Sequence, residues 1–337
     1  MSKVRLFDVF DPSLERYAAF FPEPLLAELK SLVDYRTVPH PKRAFVDTPE
    51  YQEELYNAEI LLTGWGTPLL PVDLAEKGKV KYICHVTGAL RGMVPKELLE
   101  AGIKVTNWGS SISRTIAEAS LMMILGCLRK VKPIQDIIHL QGGYRPTGLK
   151  VQSLFERKVG LFGLGAIARD LVALLKPFNV EIYAYSPHVP QEIMDSLGVK
   201  RVTSLRELFT TCDIISVHAA RTPANMGAVN ADLLQLLPDD GILVNTSRGA
   251  VINEAALIAE VQKGRLWVAL DVYDKEPLPV DSPLRGSPRV LLFPHVAGPT
   301  MDRYVDATRH ALDNIRRYLA GEPLVAQVTA AQYDLIT

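Results

Sequence analysis

Short apolar stretches alternate with amphipathic stretches along the first third of the chain. The stretches between the apolar segments, such as PEPLLAELKSLV and PKELLEAG, have helical spacing. Apolar strands that alternate with amphipathic helices are typical of a parallel sheet covered by helices. We therefore predict a small flavodoxin-like α/β domain with four strands: KVRLFDVF, AEILLTG, VKYICHVTG and IKVTNWG.

A second run of alternating patterns begins after residue 150 and predicts a larger sheet. Six strands in this rhythm, with helices such as EAALIAEVQKG between them, indicate a Rossmann-type doubly wound parallel sheet. The last helical stretch, residues 301–321, is predicted to cross back to the first domain. We therefore predict a dinucleotide-binding domain over residues 108–298, inserted into a substrate domain of residues 1–107 that 299–337 complete. The six predicted strands are KVGLFGLG, VEIYAYS, DIISVHAA, GILVNTS, LWVALDV and VLLFPHV.

One long helix is predicted over residues 113–143, between the two sheets. Thr115 and Glu118 have capping-box spacing, and Gly142 with Gly143 marks its end. Its first half is apolar nearly all round, which favours burial at a domain junction or at a homodimer interface.

Composition narrows the function classes. The chain has 337 residues, 37 Lys and Arg against 38 Asp and Glu, so no global field favours nucleic acid or a membrane surface. The most apolar helical stretch, IAEASLMMILGCL, is too short to span a membrane, and MSKVRLFDVF has no secretory pattern. We therefore expect a cytoplasmic protein that binds neither nucleic acid nor membranes.

The cysteine and histidine patterns predict neither disulfides nor a metal site. Cys84, Cys127 and Cys212 are widely spaced without a CxxC pair, and the seven histidines form no HExxH motif. We expect each cysteine to be a small buried apolar residue.

KVGLFGLGAIARDLVALL places Gly163, Gly165 and Ala168 as GxGxxA between a strand and a helix. The first glycine permits a tight turn, the second lets backbone approach a pyrophosphate, and the alanine allows close helix packing. The helix start, including Ala166 and Ile167, then offers N–H groups to the anion. An ordinary tight turn is the alternative, and the surrounding strand and helix pattern favours nucleotide binding.

Three further motifs follow predicted strands, where open α/β sheets place their ligand chemistry. NTSRGAVIN carries Arg248, LDVYDKEP carries Asp271 and Glu276, and FPHVAGPT carries His295. Taken singly, these could be a surface cation, a solvated acid and a buried histidine. Their ordered combination favours one joint site.

The sequence resembles the D-2-hydroxyacid dehydrogenase family over most of its length, in GIKVTNWGSSISRTIAEASLMMIL, VGLFGLGAIAR, NTSRGAVINEAAL, ALDVYDKEP and PHVAGPT. The resemblance implies that Arg248, Glu276 and His295 are catalytic and that the cofactor is NAD or NADP. It implies that Asp271 contacts the nicotinamide carboxamide and that His218 belongs to the cofactor site. The expected substrate is a small 2-oxo or 2-hydroxy acid, by default glyoxylate or hydroxypyruvate, and the expected assembly is a homodimer.

These residue types also suit the chemistry. Reduction of a 2-oxo acid builds negative charge on the carbonyl oxygen, which needs a cation and a proton donor. Arg248 offers a planar fork of donors, and His295 can give the proton. A hydrogen bond from His295 to the Glu276 carboxylate would favour the imidazolium form.

Two positions depart from the family pattern. The second cofactor strand ends at Ser186 instead of an aspartate, with no adjacent Arg or Lys; Arg221 could supply a cation from a neighbouring loop. Relaxed or NADP-directed cofactor use and an NAD enzyme with a weaker ribose contact both remain open.

The other departure is HVTGALRG, in which Gly88 matches the glycine whose neighbouring N–H groups hold the substrate carboxylate. Here Ala89, Leu90 and Arg91 replace an acidic run. Trp65 and Trp108 either line the site or belong to the core.

Other functions remain as hypotheses. A relative that oxidises formate or phosphite could use the same Arg, Glu and His. A dinucleotide-sensing, corepressor-like protein could keep these residues, although the chain lacks a long disordered tail. A purely structural nucleotide-binding module would need no reactive side chains at strand ends.

Overall fold

A computed structural model describes residues 3–10, 15–38, 48–145 and 148–333. The chain forms two compact units: Met1–Ile112 with Pro299–Thr337, and Ser113–Gly298. The first boundary lies five residues after the sequence-based one at 107/108, where a helix begins at Ser113.

Parallel strands and helices alternate along the described part of the chain. The strands are β1 Arg5–Asp8, β2 Asp34–Thr37, β3 Ile60–Thr63, β4 Tyr82–His85, β5 Lys104–Thr106, β6 Lys158–Phe162, β7 Glu181–Tyr185, β8 Lys200–Arg201, β9 Ile214–Val217, β10 Ile242–Asn245, β11 Trp267–Leu270 and β12 Val290–Leu292. The helices are α1 Glu15–Phe20, α2 Glu23–Leu32, α3 Pro49–Asn57, α4 Leu74–Lys77, α5 Lys96–Glu100, α6 Ser113–Leu128, α7 Val131–Leu140, α8 Ala166–Leu175, α9 Gln191–Leu197, α10 Leu205–Thr211, α11 Ala231–Leu234, α12 Glu254–Gln262 and α13 Tyr304–Ala320. Short 3₁₀ turns lie at Lys176–Phe178, Gly249–Val251 and Met301–Arg303.

The first unit contains a five-stranded sheet in the order β2-β1-β3-β4-β5, with every pair parallel. This is the flavodoxin-like order, in which the chain reverses direction across the sheet between β1 and β3. Strands β3 and β4 are buried along their whole length, which explains their nearly continuous apolar sequence. Helix α13 packs on α1, α2 and β4 of this unit.

The second unit contains a seven-stranded parallel sheet in the order β12-β11-β10-β9-β6-β7-β8. Counted from β6, this is the doubly wound order with the switch point between β6 and β9, where Val159 pairs with Ile214. Apolar clusters around Leu243 and around Val244 cover the two faces. The predicted Rossmann-type α/β fold is confirmed.

Two short strands escaped the sequence prediction, because each is an edge strand without a buried face. In β2 the residues are half-buried or exposed, and β8 has two residues, one exposed and one half-buried. A two-residue strand has no periodicity to detect.

The prediction of one helix over 113–143 is wrong, because α6 ends at Leu128 and α7 begins at Val131. Lys130 between them has left-handed backbone geometry, with φ at +55°. Pro133 lies in the first turn of α7, where its missing N–H is tolerated, whereas it would break a continuous helix. The apolar pattern continues across the break and hides it.

The cysteine prediction is confirmed for burial, since Cys84, Cys127 and Cys212 are all buried and unpaired. No helix in the described ranges is long and apolar enough to cross a membrane. Those same ranges contain no group of three His, Cys, Asp or Glu side chains that could hold a metal ion.

Candidate active site

The GxGxxA turn connects β6 to α8 at the switch point of the second sheet. Gly163 has φ at +96°, and a methyl group there would lie 2.9 Å from the carbonyl oxygen of His218. Its N–H donates to the Tyr185 carbonyl at 3.0 Å. Glycine is therefore required by both the backbone conformation and the close approach.

Helix α8 begins with backbone donors that remain available to a ligand. The N–H groups of Gly165, Ala166 and Ile167 donate to no residue in the described part of the chain, and no side chain caps the helix. The space around Gly165 is open, whereas Ala168 is fully buried against the sheet. Free N–H groups and the helix dipole together favour an anion such as a pyrophosphate.

Ser186 follows β7 directly and fixes the glycine turn from the side. Its hydroxyl accepts a hydrogen bond from the Leu164 N–H at 3.3 Å. The guanidinium of Arg201, on β8, donates to the carbonyls of Ser186, at 3.3 Å, and Val189. Although no cation adjoins Ser186 in sequence, the fold thus brings one beside it.

His218 follows β9, next to the same turn. The ring nitrogen Nε2 of His218 is 2.8 Å from the hydroxyl of Ser216, and the backbone N–H of His218 donates to the Phe162 carbonyl at 2.8 Å. Burial lowers the pKa of this imidazole to about 4, so it is neutral at physiological pH.

Arg248 lies three residues beyond β10 on a turn that Asn245 organises. The Asn245 side chain accepts from the Ser247 N–H at 2.9 Å and donates to the Arg248 carbonyl at 3.0 Å. Burial lowers the pKa of the Arg248 guanidinium below its ordinary value; nearby Glu276 opposes this shift and Arg221 reinforces it. The structure therefore brings Arg248 into electrostatic reach of Glu276 and Arg221.

His295 and Glu276 form a hydrogen-bonded pair in the loops that follow β12 and β11. The Nδ1 atom of His295 is 2.7 Å from Oε2 of Glu276, while Oε1 accepts from the Tyr273 N–H at 3.1 Å. The side chains are 49% and 38% exposed, respectively. Within the described ranges Nε2 of His295 has no hydrogen-bond partner, so this nitrogen is available to exchange a proton with a ligand.

Asp271 holds the loop that carries His295. Its buried carboxylate accepts the N–H groups of Val296 at 2.8 Å and Ala297 at 2.9 Å. His295 itself has φ at +56°, so this loop presents the imidazole from an uncommon backbone conformation.

A cavity of about 520 Å³ adjoins the histidine–carboxylate pair within the second unit. Glu276 and His295 line it together with apolar side chains such as Leu278 and Phe293. Arg285 also lines it, and its guanidinium donates to the Leu278 and Pro279 carbonyls at 2.7 Å and 2.8 Å.

In the first unit, the loop after β4 presents backbone donors at the carboxyl edge of the sheet. The N–H groups of Gly88, Ala89 and Leu90 donate to no residue in the described ranges, although Gly88 and Leu90 are buried. Buried N–H groups in proteins are nearly always paired, so three successive donors indicate a site for an anion.

His85, the last residue of β4, fixes this loop from below. Its Nδ1 is 2.9 Å from the Thr63 hydroxyl, and its Nε2 is 2.6 Å from the Thr87 hydroxyl. Burial lowers the pKa of His85 to about 3, against an opposing effect of a hydrogen bond to the Ala89 backbone carbonyl. The imidazole is therefore a neutral spacer between strand and loop.

A cluster of aromatic rings within this unit reaches Gly88 through Trp108. Trp65 packs edge-on against Trp108 with centroids 5.4 Å apart, and Phe20 stacks on Tyr304 at 4.3 Å. Trp65 and Trp108 are both partly exposed, so they lie at the sheet edge and not deep in the core.

Sequence reasoning missed Arg201 and His85. Arg201 is 15 residues from Ser186, in a strand too short to predict, so no sequence signal was available. His85 did leave a signal in the sequence, because it is a polar residue at the end of an apolar strand. Thr63 ends the preceding strand and Thr87 follows two residues after His85, so both could supply hydrogen-bond partners. A polar residue in a buried strand needs such partners.

The doubly wound sheet, with its glycine turn and unpaired donors at the start of α8, defines a dinucleotide-binding protein. Residues 121–297, more than half of the chain, match the family model "D-isomer specific 2-hydroxyacid dehydrogenase, NAD binding domain". The chain belongs to the D-isomer specific 2-hydroxyacid dehydrogenase family, as predicted, and the NAD(P) class of cofactor is confirmed.

Similar proteins include a D-3-phosphoglycerate dehydrogenase from Methanocaldococcus jannaschii, 28% identical over 81% of this chain. The chain spans about half the length of that relative, 52%. A hydroxypyruvate reductase from Thermotoga maritima is 28% identical, with 86% of this chain and 94% of the relative covered. Among solved structures, a glyoxylate reductase from Paecilomyes thermophila has a TM-score of 0.77 and 25% identity, with 97% of this chain and 99% of that chain covered.

Proposed function

We propose that this protein is an NAD(P)-dependent oxidoreductase that interconverts a small 2-oxo acid and its D-2-hydroxy acid. The observation that carries this proposal is the 2.7 Å hydrogen bond between His295 and Glu276, with the second imidazole nitrogen available to a ligand. Glu276 also interacts electrostatically with Arg248, so the same group of side chains contains a cation.

Each side chain has a distinct task in this reaction. A bound nicotinamide supplies or accepts the hydride at the carbonyl carbon. His295, as imidazolium, gives its Nε2 proton to the carbonyl oxygen and accepts it again in the reverse direction. Glu276 holds Nδ1 and stabilises the charged imidazolium, and Arg248 stabilises the negative charge that grows on the oxygen.

The substrate carboxylate is assigned to the Gly88 loop. The unpaired N–H groups of Gly88, Ala89 and Leu90 supply donors of the kind that bind anions. Glyoxylate and hydroxypyruvate are the proposed substrates, in agreement with the names of the relatives from Thermotoga maritima and Paecilomyes thermophila.

We propose relaxed cofactor choice, with use of NADPH as well as NADH. Ser186 lacks the carboxylate that would repel a 2′-phosphate, and the positive charge of Arg201 lies against the backbone of the same loop. Ser186 instead contributes a hydrogen bond to the glycine turn.

Initial rates of glyoxylate and hydroxypyruvate reduction, measured with NADH and NADPH, test both proposals. We expect turnover with NADPH in the wild type and a shift toward NADH in Ser186→Asp, because the new carboxylate would repel the 2′-phosphate. Wild-type turnover with NADH alone would overturn the cofactor proposal. Binding of both cofactors without reduction of any 2-oxo acid would overturn the reaction and favour formate or phosphite oxidation, or a corepressor-like role.

We also propose that the protein is a homodimer. Large apolar side chains of the second unit are exposed on and after α7, among them Leu140 at 79% and Tyr144 at 80%, with Met122 exposed on α6. Exposed apolar side chains of this size favour a covered face. Light scattering should give twice the 37.3 kDa chain mass, and Leu140→Asp should shift the mass toward the monomer.

A cytoplasmic location is proposed from the cysteines. All three thiols are buried and unpaired, as expected in a reducing compartment. Cell fractionation with an antibody to the native protein tests this, and recovery from a secreted or membrane fraction would contradict it.

A further inference from the structure

Trp108 lies in a tightly hydrogen-bonded loop after β5, beside the Gly88 loop. The Asn107 amide donates to the Gly88 carbonyl at 3.1 Å, and its oxygen accepts from the Gly109 N–H at 3.0 Å. The Ser111 hydroxyl donates to the Trp108 carbonyl at 2.7 Å. The backbone on both sides of the indole is therefore fixed relative to Gly88.

The indole of Trp108 covers Gly88 at very close range. A methyl group on Gly88 would lie 2.6 Å from the indole Nε1 and 2.7 Å from two neighbouring ring carbons. Any side chain at position 88 would therefore displace the ring. Glycine at this position thus permits the close approach of the indole ring.

The indole N–H is itself a donor without an acceptor. Across the described residues, Nε1 of Trp108 makes no hydrogen bond, and the ring is partly exposed at the carboxyl edge of the sheet. It lies beside Gly88, which begins the run of unpaired N–H groups of Gly88, Ala89 and Leu90. Four neighbouring donors with no acceptor of their own call for an anionic ligand.

We propose that the Trp108 indole N–H is a further binding group for the substrate carboxylate, acting together with the backbone of Gly88–Leu90. This inference rests on the proposed 2-oxo acid chemistry and assigns one more residue to its carboxylate subsite. Trp65 packs edge-on against Trp108 and holds the Trp108 ring in place. The indole nitrogen of Trp65 is not among the atoms nearest to Gly88.

The proposal predicts a particular kinetic signature. The carboxylate carries the same charge in the substrate and in the transition state, because the charge change occurs at the carbonyl oxygen. A donor to the carboxylate therefore contributes equally to both states, and its loss raises KM while kcat changes little.

Trp108→Phe removes the N–H and keeps an aromatic ring, and Trp65→Phe is the matched control in the neighbouring ring. A hydrogen bond to a charged group contributes enough that we expect a rise of about 10- to 100-fold in KM for glyoxylate in Trp108→Phe. The KM for the cofactor and kcat should stay within about threefold of wild type. An equal rise in Trp65→Phe would show that ring packing causes the effect and would overturn the proposal.

The indole N–H signals give a readout that is independent of turnover. The chain has three tryptophans, so the ¹⁵N-labelled holoprotein should show three indole cross-peaks, with that of Trp108 identified by its loss in Trp108→Phe. Trp267 is buried and donates to Asp240 at 3.0 Å, which makes its peak an internal reference. Addition of oxamate, a 2-oxo acid analogue, should shift the Trp108 peak far more than the other two.

Two outcomes separate failure of this inference from failure of the proposed function. If oxamate inhibits glyoxylate reduction and the Trp108 peak stays in place, the indole donor is wrong and the reaction stands. If no 2-oxo acid is reduced and oxamate shifts no signal, the proposed function fails and the carboxylate role of Trp108 fails with it.

Discussion

Two histidines at the carboxyl edges of the two sheets have opposite environments. His85 ends β4 in the first unit, is 1% exposed, and has a threonine hydroxyl at each ring nitrogen. His295 lies three residues after β12 in the second unit, has a half-exposed side chain, and has a carboxylate at one nitrogen.

The difference shows that position after a strand does not make a histidine reactive. Burial lowers the pKa of His85 to about 3, so it carries no proton to donate near neutral pH. His295 combines contact with solvent, a carboxylate partner and a second nitrogen open to a ligand, which are the requirements of a general acid. Partners and exposure thus distinguish the buried spacer, His85, from the proposed general acid, His295.

The largest expected effect is on turnover in His295→Gln. Gln keeps a polar side chain but cannot transfer a proton, so kcat should fall by about 10²- to 10⁴-fold. The Kd of the dinucleotide should be unchanged, because the start of α8 and the glycine turn are untouched. Steady-state kinetics and cofactor fluorescence titration measure the two quantities.

A near-normal rate in this variant would show that His295 is not the general acid. The proposed difference in role between His295 and His85 would then not hold. His85→Gln is the matched control, since it makes the same replacement at the buried site. Any loss of rate in His85→Gln should follow the fraction of the variant that is unfolded. The rate should return to the wild-type value under conditions in which the variant is fully folded.

The next effect is the pH dependence of stability. Because burial lowers the pKa of His85 from 6.5 to about 3, the unfolded chain binds a proton in this range that the folded chain does not. The contribution of His85 is therefore fully present above pH 6.5 and is lost as the pH falls toward 3. At pH 4 the loss should amount to about 3 kcal/mol.

Asp8, at the end of β1 in the same unit, should act in the opposite direction. Burial raises the pKa of its carboxyl to about 7, although hydrogen bonds from Tyr17 and Tyr35 oppose the shift. Its contribution is present below pH 3.8 and is lost as the pH rises through 7, by about 4 kcal/mol.

Urea denaturation from pH 4 to pH 8 separates the two groups. Their opposite slopes largely cancel in the wild type between about pH 4 and pH 6.5. His85→Gln should expose the Asp8 slope, so that stability falls as the pH rises toward 7, and Asp8→Asn should expose the His85 slope, so that stability falls as the pH drops toward 4. Wild-type slopes in both variants would show that neither group is as strongly perturbed as its burial implies.

Much of the fold follows from apolar periodicity. The ten strands with buried, apolar sequences were predictable, while the short edge strands β2 and β8 were not. The break at Lys130 was missed because the apolar pattern continues through it and the proline that forces it lies three residues later. Apolar periodicity detects strands with a buried face, including the edge strands β5 and β12, but it does not detect strands without a buried face or changes of helix axis.

The candidate site was predictable where motifs carry the chemistry. Arg248, Glu276 and His295 stand in recognisable motifs, and the structure brings Glu276 into contact with His295. Arg201 and the Trp108 indole lie beside the loops they affect through the three-dimensional fold, which spacing along the chain does not encode. Contacts between residues on different strands and loops are therefore the part of the site that the sequence alone does not predict.

A smaller effect is expected for Glu276→Gln. Gln can still accept a hydrogen bond from His295 but lacks the charge that stabilises the imidazolium, so kcat should fall by about 10- to 100-fold. Glu254→Gln is the control, because the Glu254 carboxylate accepts the Asp274 N–H at 3.1 Å in the same unit, and this variant should leave kcat unchanged.

The smallest effect should be that of His295→Gln on stability, and it completes the comparison. The side chain is half-exposed, and an exposed histidine–carboxylate pair contributes little, so the free energy of unfolding should change by no more than about 0.5 kcal/mol. His85→Gln should cost several times more at the same pH, because it leaves buried threonine hydroxyls without partners. Equal losses in the two variants would mean that His295 also supports its loop, and that the division between a structural and a reactive histidine does not hold.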